Sequence, residues 1–364
     1  MRRSFAAVAI ASSLVVSALT ASSAYASASS IAGGGSSFQA NFEYKCAAAY
    51  SASTHIAVSY DGTLGSGTGM ANFHAGTKDF AGIDGPDLTK TPADGGNAIV
   101  VPITAAPVAI AYHVKGKNKK AITGLRITPA ILSGIYRGDI TTWNDATIAA
   151  ANPSLKKNLP ATPILAEYRA NGSGTTKNLL SYLAATNPSA GWVASKNFNT
   201  PEANTVKVAT SGAAQANSDA MVSTLKSTNG AIGYADLPDT VGAKGFQIAT
   251  LKNAAGAYVK PTIAAGTKLV KGITADKFNN GSNVGFISGT DATNVWNTKI
   301  KGAYQLTVVT YLQASDKASD TNTAVKNYAT YALTKCQGKA GFSSLKGTPA
   351  LAVATAQVAK ISSH

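Results

Sequence analysis

The sequence contains few of the residues on which most enzymatic catalysis depends. Among its 364 residues there are only four histidines and 17 acidic side chains. Neither paired histidines nor a carboxylate cluster occurs at metal-ligand spacing, which argues against metal-assisted hydrolysis. No Gly-x-Ser-x-Gly elbow is present, and no histidine has a recognisable relation to a candidate serine nucleophile. We therefore expect a protein that is not an enzyme and needs no cofactor.

Long apolar segments are missing after the first 26 residues. Residues 1–26 have a basic start, an apolar middle and an Ala-Tyr-Ala ending at Ala26, which is the pattern of a secretory signal peptide. Nothing later in the chain is apolar for long enough to cross a bilayer. No cysteine directly follows the apolar segment to serve as a lipid-bearing mature N-terminus. The pattern indicates export to the periplasm or the extracellular space without a lipid anchor.

Cysteine is nearly absent as well. The two cysteines, Cys46 and Cys336, lie far apart in a chain that we expect to reach an oxidising compartment. Under those conditions a disulfide is favoured over two free thiols. Such a bond would bring the N-terminal and C-terminal parts of the protein together.

Acidic residues are outnumbered by basic ones, which gives a formal charge of +15. Loss of the two arginines in the signal peptide lowers this charge to +13. A protein of this charge attracts anions from a distance. Its lysines are scattered, apart from a cluster within residues 115–120, and no aromatic residues are interleaved with them. We therefore expect no binding of nucleic acid.

The segments after residue 55 alternate between strand-like and helix-like patterns. Stretches such as "HIAVSYDG", "NAIVVPITAAPVAIAYHV", "ATPILAEYR" and "YQLTVVTYLQA" are typical of strands, whereas "KNLLSYLAAT" and "SDTNTAVKNYATYALTK" are typical of helices. This alternation predicts an α/β fold with parallel or mixed sheets. No repeat and no Pro/Gly/Ser-rich linker divides the chain, so domains that exchange strands are expected rather than consecutive ones.

Three loops rich in glycine and hydroxyl residues precede predicted helices. They are "AGGGSSFQANF", "DGTLGSGTGMANF" and "EYRANGSGTTKNLL". The third is not the P-loop of nucleotide-binding enzymes, because Lys177 is followed by Asn178 rather than by Ser or Thr. The N-terminus of a helix presents unpaired N–H groups and a positive dipole end. Three such loops favour a site where helix N-termini converge on one oxyanion.

Two charged residues belong to the same regions. Arg169 begins the third loop, where its guanidinium can donate a fork of hydrogen bonds to a tetrahedral anion. Asp84 in "DFAGID" follows a predicted strand. From spacing alone, the role of a helix cap or a turn residue is favoured for Asp84.

Six stretches carry a resemblance to a known family. They are "GGGSSF", "YDGTLGSGTG", "DFAGID", "GIYRGDITTWNDATIAAANP", "YRANGSGTT" and "GAIGY". In this order and spacing, the chain resembles the periplasmic phosphate-binding proteins of phosphate ABC transporters over nearly its whole mature length. The resemblance implies two α/β lobes joined by a hinge, with the ligand between them. Lobe I would comprise residues 27–104 and 305–364, and lobe II residues 105–304.

The resemblance also implies a ligand, a partner and a set of ligand-binding residues. The ligand is inorganic phosphate, with arsenate as its mimic, and the partner is an ABC permease that receives it from a monomeric binding protein. The implied phosphate-binding residues are Ser37, Phe38, Ser66, Asp84, Arg169, Ser173, Gly174 and Thr175. Asp84 then acquires a chemical purpose, since a carboxylate accepts a hydrogen bond from protonated phosphate and repels sulfate, which carries no proton.

Some positions depart from the family pattern. Ser37 replaces the usual Thr, Gln39 replaces a usual Pro, and Asn171 stands where the family commonly has an Asp that pairs with the arginine. The high positive charge and the two cysteines are not general family traits. Three alternatives stay open: a secreted phosphate scavenger without a transporter, a protein whose basic face binds polyanions, and a phosphatase or esterase with Ser66 or Ser173 as nucleophile.

Overall fold

The computed structural model describes residues 28–85, 90–170, 172–199, 208–275 and 295–363. The predicted signal peptide lies outside these residues. The strands are β1 Ser30–Gly35, β2 Ala57–Asp61, β3 Phe80–Ile83, β4 Ala98–His113, β5 Arg126–Ile127, β6 Leu165–Ala166, β7 Tyr168–Arg169, β8 Ala214–Gln215, β9 Ala231–Asp236, β10 Gln247–Ile248, β11 Thr250–Lys252, β12 Tyr258–Val259 and β13 Thr307–Ser315.

The helices alternate with these strands, as the sequence pattern predicts, and the last two follow β13. They are α1 Ala40–Thr54, α2 Gly65–His74, α3 Pro129–Arg137, α4 Ala146–Ala151, α5 Gly174–Thr186, α6 Ser218–Ser227, α7 Leu237–Thr240, α8 Ile263–Lys271, α9 Asp320–Lys335 and α10 Pro349–Lys360. No helix within the described ranges is both long and apolar enough to span a bilayer.

The main sheet of eight strands is organised around β4. Its order is β2-β1-β3-β13-β4-β9-β6, and β10 also pairs with β4. Residues 98–107 of β4 pair antiparallel with β13, and residues 108–113 pair antiparallel with β9. All but the two end residues of β4 are buried, as its nearly unbroken apolar sequence predicts. The strand therefore belongs to two successive parts of the sheet.

The directions of the strands bring two strand ends together near the middle of β4. Strand β3 is antiparallel to β13, which is antiparallel to β4, so β3 and β4 run in the same direction. Strand β9 runs in the opposite direction. The ends of β3 and β9 therefore approach the same region from opposite sides. The predicted lobe boundaries at residues 104/105 and 304/305 fall within β4 and shortly before β13, and they stay a prediction.

The segment "ATPILAEYR" does not form one continuous strand. It forms β6, which is parallel to β9, and β7, which is parallel to β8, with Glu167 between them. The buried Glu167 carboxylate accepts hydrogen bonds from the Ala213 backbone N–H at 3.0 Å and the Gln215 amide at 2.8 Å. The chain therefore changes partner strands at Glu167, from β9 of the main sheet to β8.

The predicted disulfide between Cys46 and Cys336 is confirmed. Cys46 lies in α1 and Cys336 directly follows α9, and their Cα atoms are 5.6 Å apart. Beside the disulfide, the buried Glu43 carboxylate accepts a short hydrogen bond from Tyr328. The disulfide thus ties the first helix to the C-terminal part of the chain.

Candidate functional site

The first glycine loop brings the end of β1 against the end of β3. Gly35 has a φ of 140°, and a Cβ atom at this position would lie 2.2 Å from the carbonyl oxygen of Gly82. Only glycine tolerates both this conformation and this distance. The backbone N–H of Ser36 donates to the same carbonyl at 2.7 Å. As a result, the "SSF" turn before α1 lies at the end of β3, next to Asp84.

The second and third glycine loops contact each other. The backbone N–H of Gly67 donates to the carbonyl of Gly172 at 3.3 Å. A Cβ atom on Gly174 would lie 2.5 Å from Cβ of Asp84 and 2.9 Å from Oγ of Ser66. The starts of α2 and α5 therefore meet across Asp84, which is the convergence of helix N-termini that the sequence predicts.

Asp84 is 4% exposed and surrounded by hydroxyl groups. Its Oδ2 atom accepts hydrogen bonds from Ser36 at 2.6 Å and Ser66 at 3.1 Å, and its Oδ1 atom accepts one from Thr310 at 2.6 Å. Burial is the largest influence on the carboxyl group and raises its pKa, whereas the three hydroxyl hydrogen bonds and the charge of Arg169 oppose that rise. Asp84 is therefore a desolvated acceptor, not a surface turn residue.

Arg169 reaches the same region from β7. Its Nη1 atom lies 3.4 Å from Oγ of Ser37 and 3.4 Å from Oγ of Ser218. Among the described residues, its buried Nε atom has no hydrogen-bond partner. The backbone N–H of Arg169 donates to the hydroxyl of Tyr234 at 2.9 Å, which fixes the start of the side chain. The guanidinium is thus held in place and retains an unused donor.

The remaining predicted ligands lie at helix starts. Ser173 is the N-cap of α5, and its Oγ accepts from the backbone N–H of Thr176 at 3.2 Å. The Thr175 hydroxyl donates to Asp236 at 3.4 Å. Phe38 is fully buried, and its backbone N–H donates to the Oγ of Ser36 at 3.1 Å.

The structure thus brings the predicted ligands of all three loops into one region. Asp84 directly contacts Ser66, and Ser37 directly contacts Arg169. The ring of Phe38 packs edge-on against Phe342 at a centroid distance of 6.1 Å, and its backbone N–H contacts the polar groups through Ser36. The set of ligands stays a prediction, and Asn171 lies outside the described residues.

Sequence reasoning missed a second buried carboxylate, Asp236. It is the last residue of β9 and is 1% exposed. Burial and then the charge of Asp84 raise its pKa to about 7, against the lowering effect of Arg169 and of hydrogen bonds from Ser218 and Thr175. A signal was present, since "GAIGYAD" ends a buried strand in a carboxylate, as "DFAGID" does.

Other residues of the site were also missed. Ser36 is adjacent to a predicted ligand, and Thr310 is one of several polar residues in the buried strand β13. Ser218 begins α6 and shows only the ordinary pattern of a helix start. For Thr310 and Ser218 nothing in the local sequence indicates which residues they contact.

A pocket of about 90 Å³ lies beside these groups, and its lining includes Ser37 and Ser218. Asn41 of α1 donates to Asp239 of α7 at 2.7 Å within the same lining. This hydrogen bond joins the segment after β1 to the segment after β9. The candidate site is therefore covered by contacts between parts of the chain that the sequence assigns to different lobes.

Comparison with known proteins identifies the family. A family model described as a PBP superfamily domain matches residues 20–335. The chain belongs to this superfamily. The resemblance to periplasmic phosphate-binding proteins is thereby confirmed at the level of the family.

Named relatives support this assignment. The chain is 33% identical over 234 residues to the phosphate-binding protein PstS of Xylella fastidiosa, covering 64% of this chain and 60% of that protein. It is 30% identical over 274 residues to phosphate-binding protein PstS 2 of Mycobacterium tuberculosis, covering 72% of this chain and 68% of the relative. The match therefore spans less than two thirds of the Xylella protein's length.

Solved structures confirm the predicted two-lobed α/β fold. A high affinity periplasmic phosphate-binding protein (PfluDING) bound with phosphate has a TM-score of 0.66 at 20% identity, covering 90% of this chain and 93% of that one. A phosphate ABC transporter substrate-binding protein from Clostridium perfringens, described as putative and also with bound phosphate, has a TM-score of 0.56 at 15% identity, covering 87% and 100%. At these identities the likeness concerns the fold.

Proposed function

We propose that this protein is an exported, non-enzymatic receptor for inorganic phosphate and its mimic arsenate. The observation that carries the proposal is the buried Asp84 carboxylate, which accepts three hydroxyl hydrogen bonds beside Arg169 and the start of α5. The names of the relatives and the phosphate bound by two structural neighbours support the same ligand.

The donors near Asp84 are suited to replace the water around a small anion. Removing an anion from water is costly unless hydrogen bonds substitute for its hydration. Arg169 supplies charge and an unused buried donor, the start of α5 supplies backbone N–H groups at Gly174 and Thr175, and Ser37 supplies a hydroxyl, whereas the hydroxyl hydrogen of Ser66 is donated to Asp84. The donors come from two helix starts and one short strand, so the anion would bind only where the loops meet.

Asp84 would select among tetrahedral anions. A carboxylate offers about four acceptor positions, and hydroxyl groups of Ser36, Ser66 and Thr310 take three of them. The fourth position, on Oδ1, can accept the proton of hydrogenphosphate or hydrogenarsenate. Sulfate has no proton to donate, so its oxygen would face this lone pair and be repelled. The binding free energy of sulfate should therefore be less favourable than that of phosphate by about 1.5–3 kcal/mol or more, the contribution of one charged hydrogen bond.

Titration calorimetry with phosphate, arsenate and sulfate tests this proposal. The wild-type protein should bind phosphate and arsenate and bind sulfate far more weakly. Asp84→Asn should lower the phosphate-over-sulfate ratio by about tenfold or more, because an amide also offers a donor to sulfate. Asp139→Asn removes an exposed carboxylate and should leave the ratio unchanged. Absence of heat with phosphate, or turnover of a phosphoester at a useful rate, would refute the receptor assignment.

We also propose that the lobes close around the ligand and that the loaded protein delivers it to an ABC permease as a monomer. The strands that cross between the proposed lobes are β4 and the segment leading into β13, so bending there would move the two sides of the cleft. Small-angle scattering with and without phosphate should show a smaller radius of gyration in the bound state. An unchanged radius would argue against closure, and retention on membranes only when the permease is present would support delivery.

A further inference from the structure

Ser218 occupies a position that the family resemblance does not assign to phosphate. It is the first residue of α6 and is 5% exposed. Its Oγ atom lies 3.0 Å from Oγ of Ser37 and 3.4 Å from Nη1 of Arg169. Both neighbours are predicted ligands, and they come from opposite sides of the cleft. A small anion that contacts Ser37 and Arg169 would therefore also lie within reach of Ser218.

The Asp236 carboxylate contacts both Ser218 and Thr175. The Ser218 hydroxyl donates to its Oδ2 atom at 2.9 Å, and the Thr175 hydroxyl lies 3.4 Å from its Oδ1 atom. Each carboxylate oxygen thus contacts one hydroxyl that faces the anion region. A buried carboxylate in this place controls the direction in which those hydroxyl groups point.

We propose that Ser218 is a further ligand of the anion and that Asp236 is the positioning residue that sets whether Ser218 accepts from the anion or donates to it. This inference rests on the proposed function. When Asp236 is ionised, it accepts a hydrogen bond from the Ser218 hydroxyl. The Ser218 oxygen then offers only lone pairs, which can accept a hydrogen bond from a protonated anion oxygen. When Asp236 is protonated, it donates to Ser218, whose hydroxyl hydrogen then points to an anion oxygen without a proton.

The surrounding charges favour proton uptake on binding of a dianion. Asp236 faces Asp84 across the site, the Arg169 guanidinium, the Tyr234 hydroxyl on its own strand, and Asp239 of α7. With both Asp84 and Asp236 ionised, a single guanidinium would oppose two carboxylates and the dianion. Burial raises the pKa of Tyr234 to about 12, so its hydroxyl stays protonated. Burial and the charge of Asp236 raise the pKa of Asp239 to about 8, so Asp239 is the competing site for the proton. We assign the proton to Asp236, because Asp236 and not Asp239 contacts the Ser218 hydroxyl that would then donate to the anion.

Calorimetric titration with inorganic phosphate tests whether Ser218 is a ligand. Ser218→Ala should weaken phosphate binding by about tenfold or more, as expected for one hydrogen bond to a charged group. Ser223→Ala is the matched control, since Ser223 is an exposed residue of the same helix. It should bind within twofold of the wild type. Equal affinities of the two variants would overturn the role of Ser218.

The role of Asp236 is tested by proton uptake. Titrations at pH 8.5 in buffers of different ionisation enthalpy should show net proton uptake by the wild type, and Asp236→Asn should abolish it. The matched control is Asp239→Asn, which removes a neighbouring carboxylate that accepts from Asn41 rather than from a predicted ligand. Uptake that persists in Asp236→Asn, or that disappears in Asp239→Asn, would overturn the assignment to Asp236.

The same titrations separate this inference from the function on which it rests. A wild-type protein that gives no heat with phosphate overturns the proposed function. A wild type that binds phosphate, together with a Ser218→Ala variant of unchanged affinity, overturns only this inference. If Asp236→Asn does not fold, the comparison of Ser218→Ala with Ser223→Ala still decides whether Ser218 is a ligand.

Discussion

Gly174 offers a sharp test of the site geometry, because helix propensity and packing predict opposite effects of a methyl group there. Gly174 is the first residue of α5, with Ser173 as the N-cap. Alanine is the better helix former by about 0.5–1 kcal/mol in a helix interior, so propensity alone predicts that Gly174→Ala stabilises the protein. The packing around Gly174 predicts the reverse.

The magnitude follows from distances to two predicted ligands. The added Cβ would lie 2.5 Å from Cβ of Asp84, 2.7 Å from its Oδ2 atom and 2.9 Å from Oγ of Ser66, whereas ordinary contacts begin at 3.4 Å. Asp84 or α5 must therefore move by close to 1 Å, roughly the displacement that costs 100-fold at a precisely arranged site. Overpacking costs about 1–3 kcal/mol, which exceeds the gain in propensity.

Calorimetry and urea unfolding of Gly174→Ala measure both effects. Phosphate affinity should fall by about 100-fold, and the free energy of unfolding should fall by about 1–2 kcal/mol. The control is Gly172→Ala in the same loop, because a Cβ atom there meets nothing closer than 3.8 Å. A Gly174→Ala protein that binds phosphate as tightly as Gly172→Ala would refute the convergence of α5 on Asp84.

Two further predictions concern stability. Burial raises the pKa of Glu43 from 4.5 to about 7, so the folded state holds this proton and the associated stability is lost as the pH rises through about 7. Between pH 5 and pH 8 the unfolding free energy of the wild type should fall by up to about 3 kcal/mol because of Glu43, and Glu43→Gln should lack this part of the fall. An unfolding free energy that depends on pH in the same way in both proteins would contradict this prediction. Replacing Cys46 and Cys336 by Ala should lower the unfolding free energy by about 3–5 kcal/mol, since the bond closes a loop spanning 290 residues. A loss below about 1 kcal/mol in urea unfolding would refute that stabilisation.

Local patterns in the sequence determined most of the architecture. Apolar periodicity and helix-start residues predicted α5 and α9, and both helices begin at serine N-caps whose side chains accept a backbone N–H. The nearly unbroken apolar run of β4 predicted a strand, and the strand is buried. These properties depend on residues within a few positions of one another, which is why they are visible in the sequence. Glycine and hydroxyl residues likewise predicted the three loops that precede helices.

The tertiary structure decided which side chains surround the candidate site. Thr310 donates to Asp84 across 226 residues of sequence, and Ser218 contacts Ser37 across 181 residues. Asp236 meets the same cluster because β3 and β9 run in opposite directions and end near the middle of β4. Such contacts arise from strand order and direction, which local periodicity does not specify. The sequence therefore identified the loops, whereas the fold determined that two carboxylates, Asp84 and Asp236, are both buried within the influence of the Arg169 charge.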